Sequence, residues 1–140
     1  MRFRDTDALG HVNNAVYLTY LEIERTHYWK HLFNITDLRK AGFIIAHASI
    51  WYRSPAYQGE TLLVSGRISR LGTKSFDFEY EIREASSNRL VAEALTTQVM
   101  YDYEVQKSIA IPYDIRKTIL AFEGEENVRQ TNMSHAPKDG

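Results

Sequence analysis

The chain has no cysteine among its 140 residues, which removes disulfides, thiolate metal ligands and a cysteine nucleophile together. It has no long apolar run either. The longest, over residues 43–51, is interrupted by His47 and is too short to span a bilayer. The start Met1-Arg2-Phe3-Arg4-Asp5 has no apolar leader core. Neither sign of charge dominates: the formal net charge is −1 with no extended Lys/Arg run, which gives little electrostatic reason to expect nucleic acid or an anionic membrane as partner. Gly-x-Ser-x-Gly, a phosphate-binding glycine loop and a dinucleotide fingerprint are all missing, which argues against an elbow-type serine hydrolase and a nucleotide-dependent enzyme. A soluble, cytoplasmic protein with no required cofactor is the expectation, and any phosphate recognition must be local.

What is present suits one domain with a real core: 44% of residues are hydrophobic and 25% charged. Residues 15–33 contain no proline or glycine, and Tyr17, Tyr20, Leu21, Tyr28 and Leu32 recur at helical spacing, with Thr19, Glu22, Thr26 and Lys30 on another stripe. The spacing predicts one long helix, on the order of 27 Å, apolar around more than one face and therefore wrapped by other structure. A short helical turn over residues 36–40 precedes the break at Gly42.

From Phe43 the period changes to two. Phe76, Phe78, Tyr80 and Ile82 alternate with Asp77, Glu79, Glu81 and Arg83, a strand with one buried and one wet face. Ala46, Ala48, Ile50 and Tyr52 alternate likewise, as do Leu62, Val64 and Ile68, and residues 90–103 are again strand-like. Breaks at 55–59, 72–73 and 86–88 suit antiparallel hairpins. With a short first strand near residues 2–5, this predicts an α+β domain over residues 1–122, a curled antiparallel five-stranded sheet wrapped around one long helix. Residues 112–122 read as a short terminal helix, with Pro112 tolerated in its first turn. Residues 123–140 read as a polar, flexible tail.

The segment Arg4-Asp5-Thr6-Asp7-Ala8-Leu9-Gly10-His11-Val12-Asn13-Asn14-Ala15 sets a carboxylate, a glycine turn and a histidine just ahead of the long helix. Free N–H groups of a first helical turn can receive an oxyanion, and an upstream carboxylate can act as base or nucleophile. On position alone, Asp5 and Asp7 read more readily as turn or capping residues than as catalytic ones, and Asn13 or Asn14 reads as a helix cap. His27 and His31 have the i, i+4 spacing of a helical zinc site but lack the Glu of His-Glu-x-x-His, so no metal is expected.

The pattern Arg2-x-x-Asp5-x-Asp7-x-x-Gly10-His11-Val12-Asn13-Asn14-x-x-Tyr17, with Glu22 five residues on, resembles the opening signature of the hotdog-fold acyl-CoA thioesterases of the 4-hydroxybenzoyl-CoA thioesterase type. The resemblance extends over residues 1–119. It implies the hotdog fold, an acyl-CoA substrate, and Asp7 as the catalytic carboxylate, either attacking the thioester carbonyl or activating a water. It further implies substrate contact by Gly10, His11, Val12, Asn13 and Asn14, with backbone amides of the helix start, above all Asn14, as oxyanion donors. Tyr17 and Glu22 match the family, Glu22 in a supporting role. Lys74-Ser75-Phe76 matches a Lys-Ser-Phe run where basic residues meet CoA phosphates. Gly72 and Thr73 are not basic, so the clamp here reduces to Lys74, aided by Arg70 or Arg53. The family places the site at a subunit interface, implying a homodimer at least and a homotetramer by resemblance. Alternatives are an acyl-ACP thioesterase, which Leu9 opposes because plant members carry Asn at that position, and a hotdog hydratase or acyl-CoA-binding protein without turnover.

Overall fold

The computed structural model describes residues 14–33 and 42–131, with side chains in the first helix from Val16 onward. The predicted long helix is present as α1 (Asn14–Phe33), followed by β1 (Phe43–Tyr52), β2 (Leu62–Leu71), β3 (Ser75–Glu84), β4 (Leu90–Asp102), β5 (Lys107–Ser108), α2 (Tyr113–Glu123) and β6 (Arg129–Gln130). The strands order β1-β4-β3-β2-β6, with β5 paired to β4. All long pairings are antiparallel. The predicted turn at 36–40 and first strand near residues 2–5 lie outside the described residues. In place of a five-stranded count, the described sheet is six-stranded, because the chain end adds β6 parallel to β2 at Arg70 and Leu71 and β5 pairs β4.

The curl has a local cause. Register shifts interrupt β1 between Ile45 and His47, β2 between Ile68 and Arg70, and β3 between Ile82 and Arg83; such bulges bend and twist a strand. Phe76, Phe78, Tyr80 and Ile82 are buried as the alternation requires, and they meet Tyr17, Leu21, Arg25, Tyr28 and Trp29, the buried residues of α1. The helix is not enclosed all round: Leu18 and Ile23 are about half exposed, because one sheet covers only one side of it.

Two expectations need correction. Asp77, assigned to the wet face of β3, is buried. The β2 bulge brings Arg70 across to it, Nε to Oδ2 at 2.9 Å, and Thr97 donates to the same carboxylate at 2.8 Å. The polar tail is folded as far as Thr131: Glu123 ends α2, residues 125–127 form a 3-10 turn, and Val128 is buried. Val128 in the core, the Thr131 N–H bond to Leu71 O, the Arg67 Nη1 bond to Asn127 O and the Arg70 Nη1 bond to Thr131 Oγ1 hold this segment.

The two edges of the sheet are treated differently. Along β2, the Ile68 N–H donates to Glu123 Oε2 at 3.0 Å, and β6 occupies the next positions. Strand β1 ends the described sheet and is paired on one side only. Its Ile44, Ile45, Trp51 and Tyr52 are two-fifths to one-half exposed. A carboxylate and a short strand block one edge against further pairing, and the other is left open.

Candidate active site

Asp7, Gly10, His11, Val12 and Asn13 lie outside the described residues. Asn14 is the first residue of α1, so the predicted motif runs directly into the helix start. The first turn of α1 carries no acidic side chain, which leaves the partial positive charge of its N–H groups unneutralised from within the helix.

Tyr17, one turn in, is 3% exposed. Its ring meets Tyr20 edge-on at 6.1 Å and Tyr52, at the end of β1, at 5.3 Å. Burial first, and Tyr52 second, push its phenol above the usual tyrosine value, while Arg89 pulls it down and Glu60 pushes it up. Glu22, expected on an otherwise enclosed stripe, is exposed, and its carbonyl accepts the Thr26 hydroxyl. The buried charged position on α1 is Arg25 instead. Its Nη1 donates to the Tyr80 hydroxyl at 3.0 Å, Tyr80 and Thr96 hydroxyls are 2.7 Å apart, and Arg25 Nε has no hydrogen-bond partner among the described residues. The sequence signal was available: Arg25 follows Tyr17 and Leu21 at intervals of four, on the core stripe itself. Beside it, burial holds the Glu24 carboxyl above the ordinary carboxylate value, partly offset by His27 and the Gly66 N–H.

Lys74 is half-buried, its Nζ 3.5 Å from Ser108 Oγ. Ser75 is turned into the wall, 1% exposed, with its hydroxyl accepting Arg70 Nη2 at 2.8 Å. It holds Arg70 in place and does not face solvent. Arg70 is likewise no surface cation but the buried partner of Asp77, and Arg53 pairs with Glu93 at 2.8 Å. Of the basic residues considered for phosphate contact, Lys74 is the one without a carboxylate within 4.0 Å among the described residues.

Within one chain, Lys74 and the helix start are at opposite ends of the sheet. Tyr17 touches Tyr52, which pairs with Ala92 and through it with Ile82. The far end of α1 lies on Phe43 and Phe76, each 5.7 Å from Trp29. Eight residue steps separate Lys74 from Ile82, about 26 Å at roughly 3.3 Å each. A concavity of 690 Å³, lined among others by Trp51, Arg67, Glu79, Glu81 and Glu93, is on the sheet face turned away from α1 and is not part of this site. Among the described residues no cluster of three metal-ligating side chains occurs, His27 and His31 included.

The model of the thioesterase-like superfamily matches residues 1–119, and the chain belongs to that superfamily. Fold and family together define a hotdog-fold thioester hydrolase. The chain is 30% identical over 118 residues to the long-chain acyl-CoA thioesterase FadM of Escherichia coli (strain K12), covering 81% of this chain and 87% of that protein. It is 31% identical over 122 residues to the 1,4-dihydroxy-2-naphthoyl-CoA hydrolase of Nostoc punctiforme, covering 82% and 79%. In structure it is similar to a thioesterase from Thermus thermophilus complexed with coenzyme A and zinc, with a TM-score of 0.79, 33% identity, and 89% and 90% of the two chains covered.

Proposed function

We propose that this protein hydrolyses acyl-CoA thioesters to a free acid and CoA, with Asp7 as nucleophile or general base and the first-turn amides of α1 as oxyanion donors. The observation that carries the reading is the direct passage from Asp7-x-x-Gly10-His11-Val12-Asn13 into a helix that begins at Asn14 with no acidic side chain in its first turn. Negative charge develops on the carbonyl oxygen as the carbon becomes tetrahedral. Loss of one preorganised donor in such sites costs about 10²–10³ in rate. In the nucleophilic route the carboxylate adds to the carbonyl carbon, the C–S bond breaks, and CoA leaves as the thiolate to be protonated; water then cleaves the mixed anhydride. In the general-base route Asp7 takes the proton of the attacking water, and the same C–S bond breaks.

A homodimer completes this site. Antiparallel pairing of two copies through the open β1 edge sets the Tyr52 end of one strand beside the Phe43 end of the other. Phe43 pairs with Met100, whose N–H donates to Lys74 O at 2.8 Å. The pairing therefore carries Lys74 of the second copy toward the Tyr17 end of the first, which a single chain keeps apart. Further assembly to a homotetramer and a cytoplasmic location go with this reading; among the described residues no helix is long and apolar enough to cross a membrane.

The experiment is Asp7→Asn, assayed by thiol release from a panel of acyl-CoAs. The amide is neither an anionic nucleophile nor an effective base, so kcat falls by at least about 10²-fold with the fold retained. Near-normal turnover by the folded variant refutes the role of Asp7.

A further inference from the structure

We propose that Arg89 is a positioning residue for the reaction at the start of α1: it locks the loop 53–60 and, through Tyr52, fixes Tyr17 and the helix turn that carries the oxyanion donors. This deepens the hydrolase reading and rests on it.

Arg89 follows the turn between β3 and β4, at the same end of the sheet as Tyr17. Its guanidinium makes four bonds, all to one loop. Nη2 and Nη1 donate to the two oxygens of Glu60 at 2.9 and 3.1 Å, Nε to Ser54 Oγ at 3.1 Å, and Nη2 also to Pro55 O at 2.9 Å. The planar fork matches the carboxylate in a way a lysine could not. The far side of the lock is closed as well. Ser54 Oγ donates to Leu90 O at 2.8 Å, Arg53 N–H donates to Val91 O at 2.9 Å, and Tyr57 N–H donates to Glu60 Oε1 at 2.9 Å. Ala56, at the centre of the loop, is 1% exposed and belongs to the same core cluster as Tyr17.

The loop leads directly out of Tyr52, the last residue of β1, and Tyr52 is the ring against which Tyr17 leans. Both members of the Arg89–Glu60 pair act electrostatically on the Tyr17 phenol, so the lock stands within reach of the helix start. A helix end is otherwise the least constrained part of a helix, since its first N–H groups have no partner inside it. Catalysis by those groups tolerates little displacement: a misplacement of about 1 Å costs on the order of 10²-fold. All four bonds of the Arg89 guanidinium go to the loop; it acts through Glu60, the loop and Tyr52.

The test compares Arg89→Met with Arg83→Met in the full-length protein. Arg83 is a matched control, because it binds the Asn88 carbonyl of the same turn at 3.0 Å and Glu81 at 3.1 Å but makes no bond to the loop. Two readouts are taken: steady-state acyl-CoA hydrolysis, and amide hydrogen exchange of residues 16–19 against that of β3 and β4. Arg89→Met is expected to lower kcat about 10-fold or more with KM for acyl-CoA little changed, and to speed exchange in the first turn of α1 while β3 and β4 stay protected. Arg83→Met should do neither. Glu60→Gln combined with Arg89→Met should add nothing to the single Arg89→Met defect, as for two parts of one device. Unchanged kcat in folded Arg89→Met, or exchange raised equally across the sheet, overturns the positioning role. Absence of thiol release by the wild-type protein would instead refute the hydrolase reading, and the exchange data would still decide whether Arg89 fixes the helix start.

Discussion

The phenol of Tyr28 donates a 2.6 Å hydrogen bond to Glu123 Oε2, and the same oxygen accepts the Ile68 N–H at 3.0 Å. One carboxylate thus ties α1, the end of α2 and the edge of β2 together. Burial first, then the bond to Glu123, hold the Tyr28 hydroxyl far above its usual value, so it remains a donor at every working pH. Removing the donor with Tyr28→Phe keeps the ring contacts to Phe78 and Phe122 but loses a bond to a charged group, about 1.5–3 kcal/mol. A fall in Tm of roughly 5–10 °C is expected in a thermal melt; an unchanged Tm would show that the latch contributes no stability.

Lys74→Glu should raise KM for acyl-CoA far more than for a short acyl-pantetheine thioester and leave kcat nearly unchanged for both. Phosphates far from the reacting carbonyl give uniform binding to ground and transition states. The wild-type advantage should shrink as ionic strength rises. Equal effects on both substrates would remove Lys74 from the CoA path.

Light scattering at micromolar concentration should give at least twice the 16.3 kDa of one chain. A mixing experiment reads the geometry: Asp7→Asn and Lys74→Glu proteins, each impaired at low substrate, should regain activity when unfolded and refolded together. In the mixed dimer, Asp7 from one chain meets Lys74 from the other, and one of the two sites is wild type. No recovery, or an active monomer, contradicts a site shared across β1.

Glu84 gives a pH dependence with a definite sign. Its carboxylate accepts the Ser86 N–H and hydroxyl at 3.1 and 2.7 Å and the Ser87 N–H and hydroxyl at 2.9 and 2.8 Å. These bonds hold its pKa down to about 2 from an ordinary 4.5. A carboxyl lowered on folding contributes stability that is fully present above the unfolded value and is lost as pH falls toward the folded one. The contribution should disappear between pH 4.5 and about 2. Glu84→Gln should flatten the decline of Tm across that window, and parallel curves for the two proteins would remove Glu84 from the acid response.

The helix and the four long strands were legible because each writes its period into the sequence, as with Phe76, Phe78, Tyr80 and Ile82. The same alternation misassigned Asp77, since period two gives the face of a residue and not what covers that face. Arg70 reaches Asp77 only through a bulge, and a bulge has no composition of its own. The chain end misled for a related reason: Val128 is a lone apolar residue in a polar stretch, too little for a periodicity signal but enough to seat a short strand. In the candidate site, the motif around Asp7 and Gly10 was plain, whereas the pairing of Arg89 with Glu60 joins residues 29 apart with no pattern linking them. The placement of Lys74 at the far end of the sheet from Tyr17 likewise follows from register, which no single strand reveals.

Arg25 has a consequence for how α1 sits. The helix carries Leu18 and Ile23 as well as Leu21 and Trp29, so apolar surface extends around it, and hydrocarbon alone would accept several rotations about its axis. A slip by one residue, about 100°, would take the guanidinium off the Tyr80 hydroxyl, to which it donates where the helix is buried. That bond favours the azimuth at which Tyr28 also reaches Glu123. A contact three turns from the first-turn amides thereby bears on the way they face, alongside the loop that Arg89 holds at the helix start.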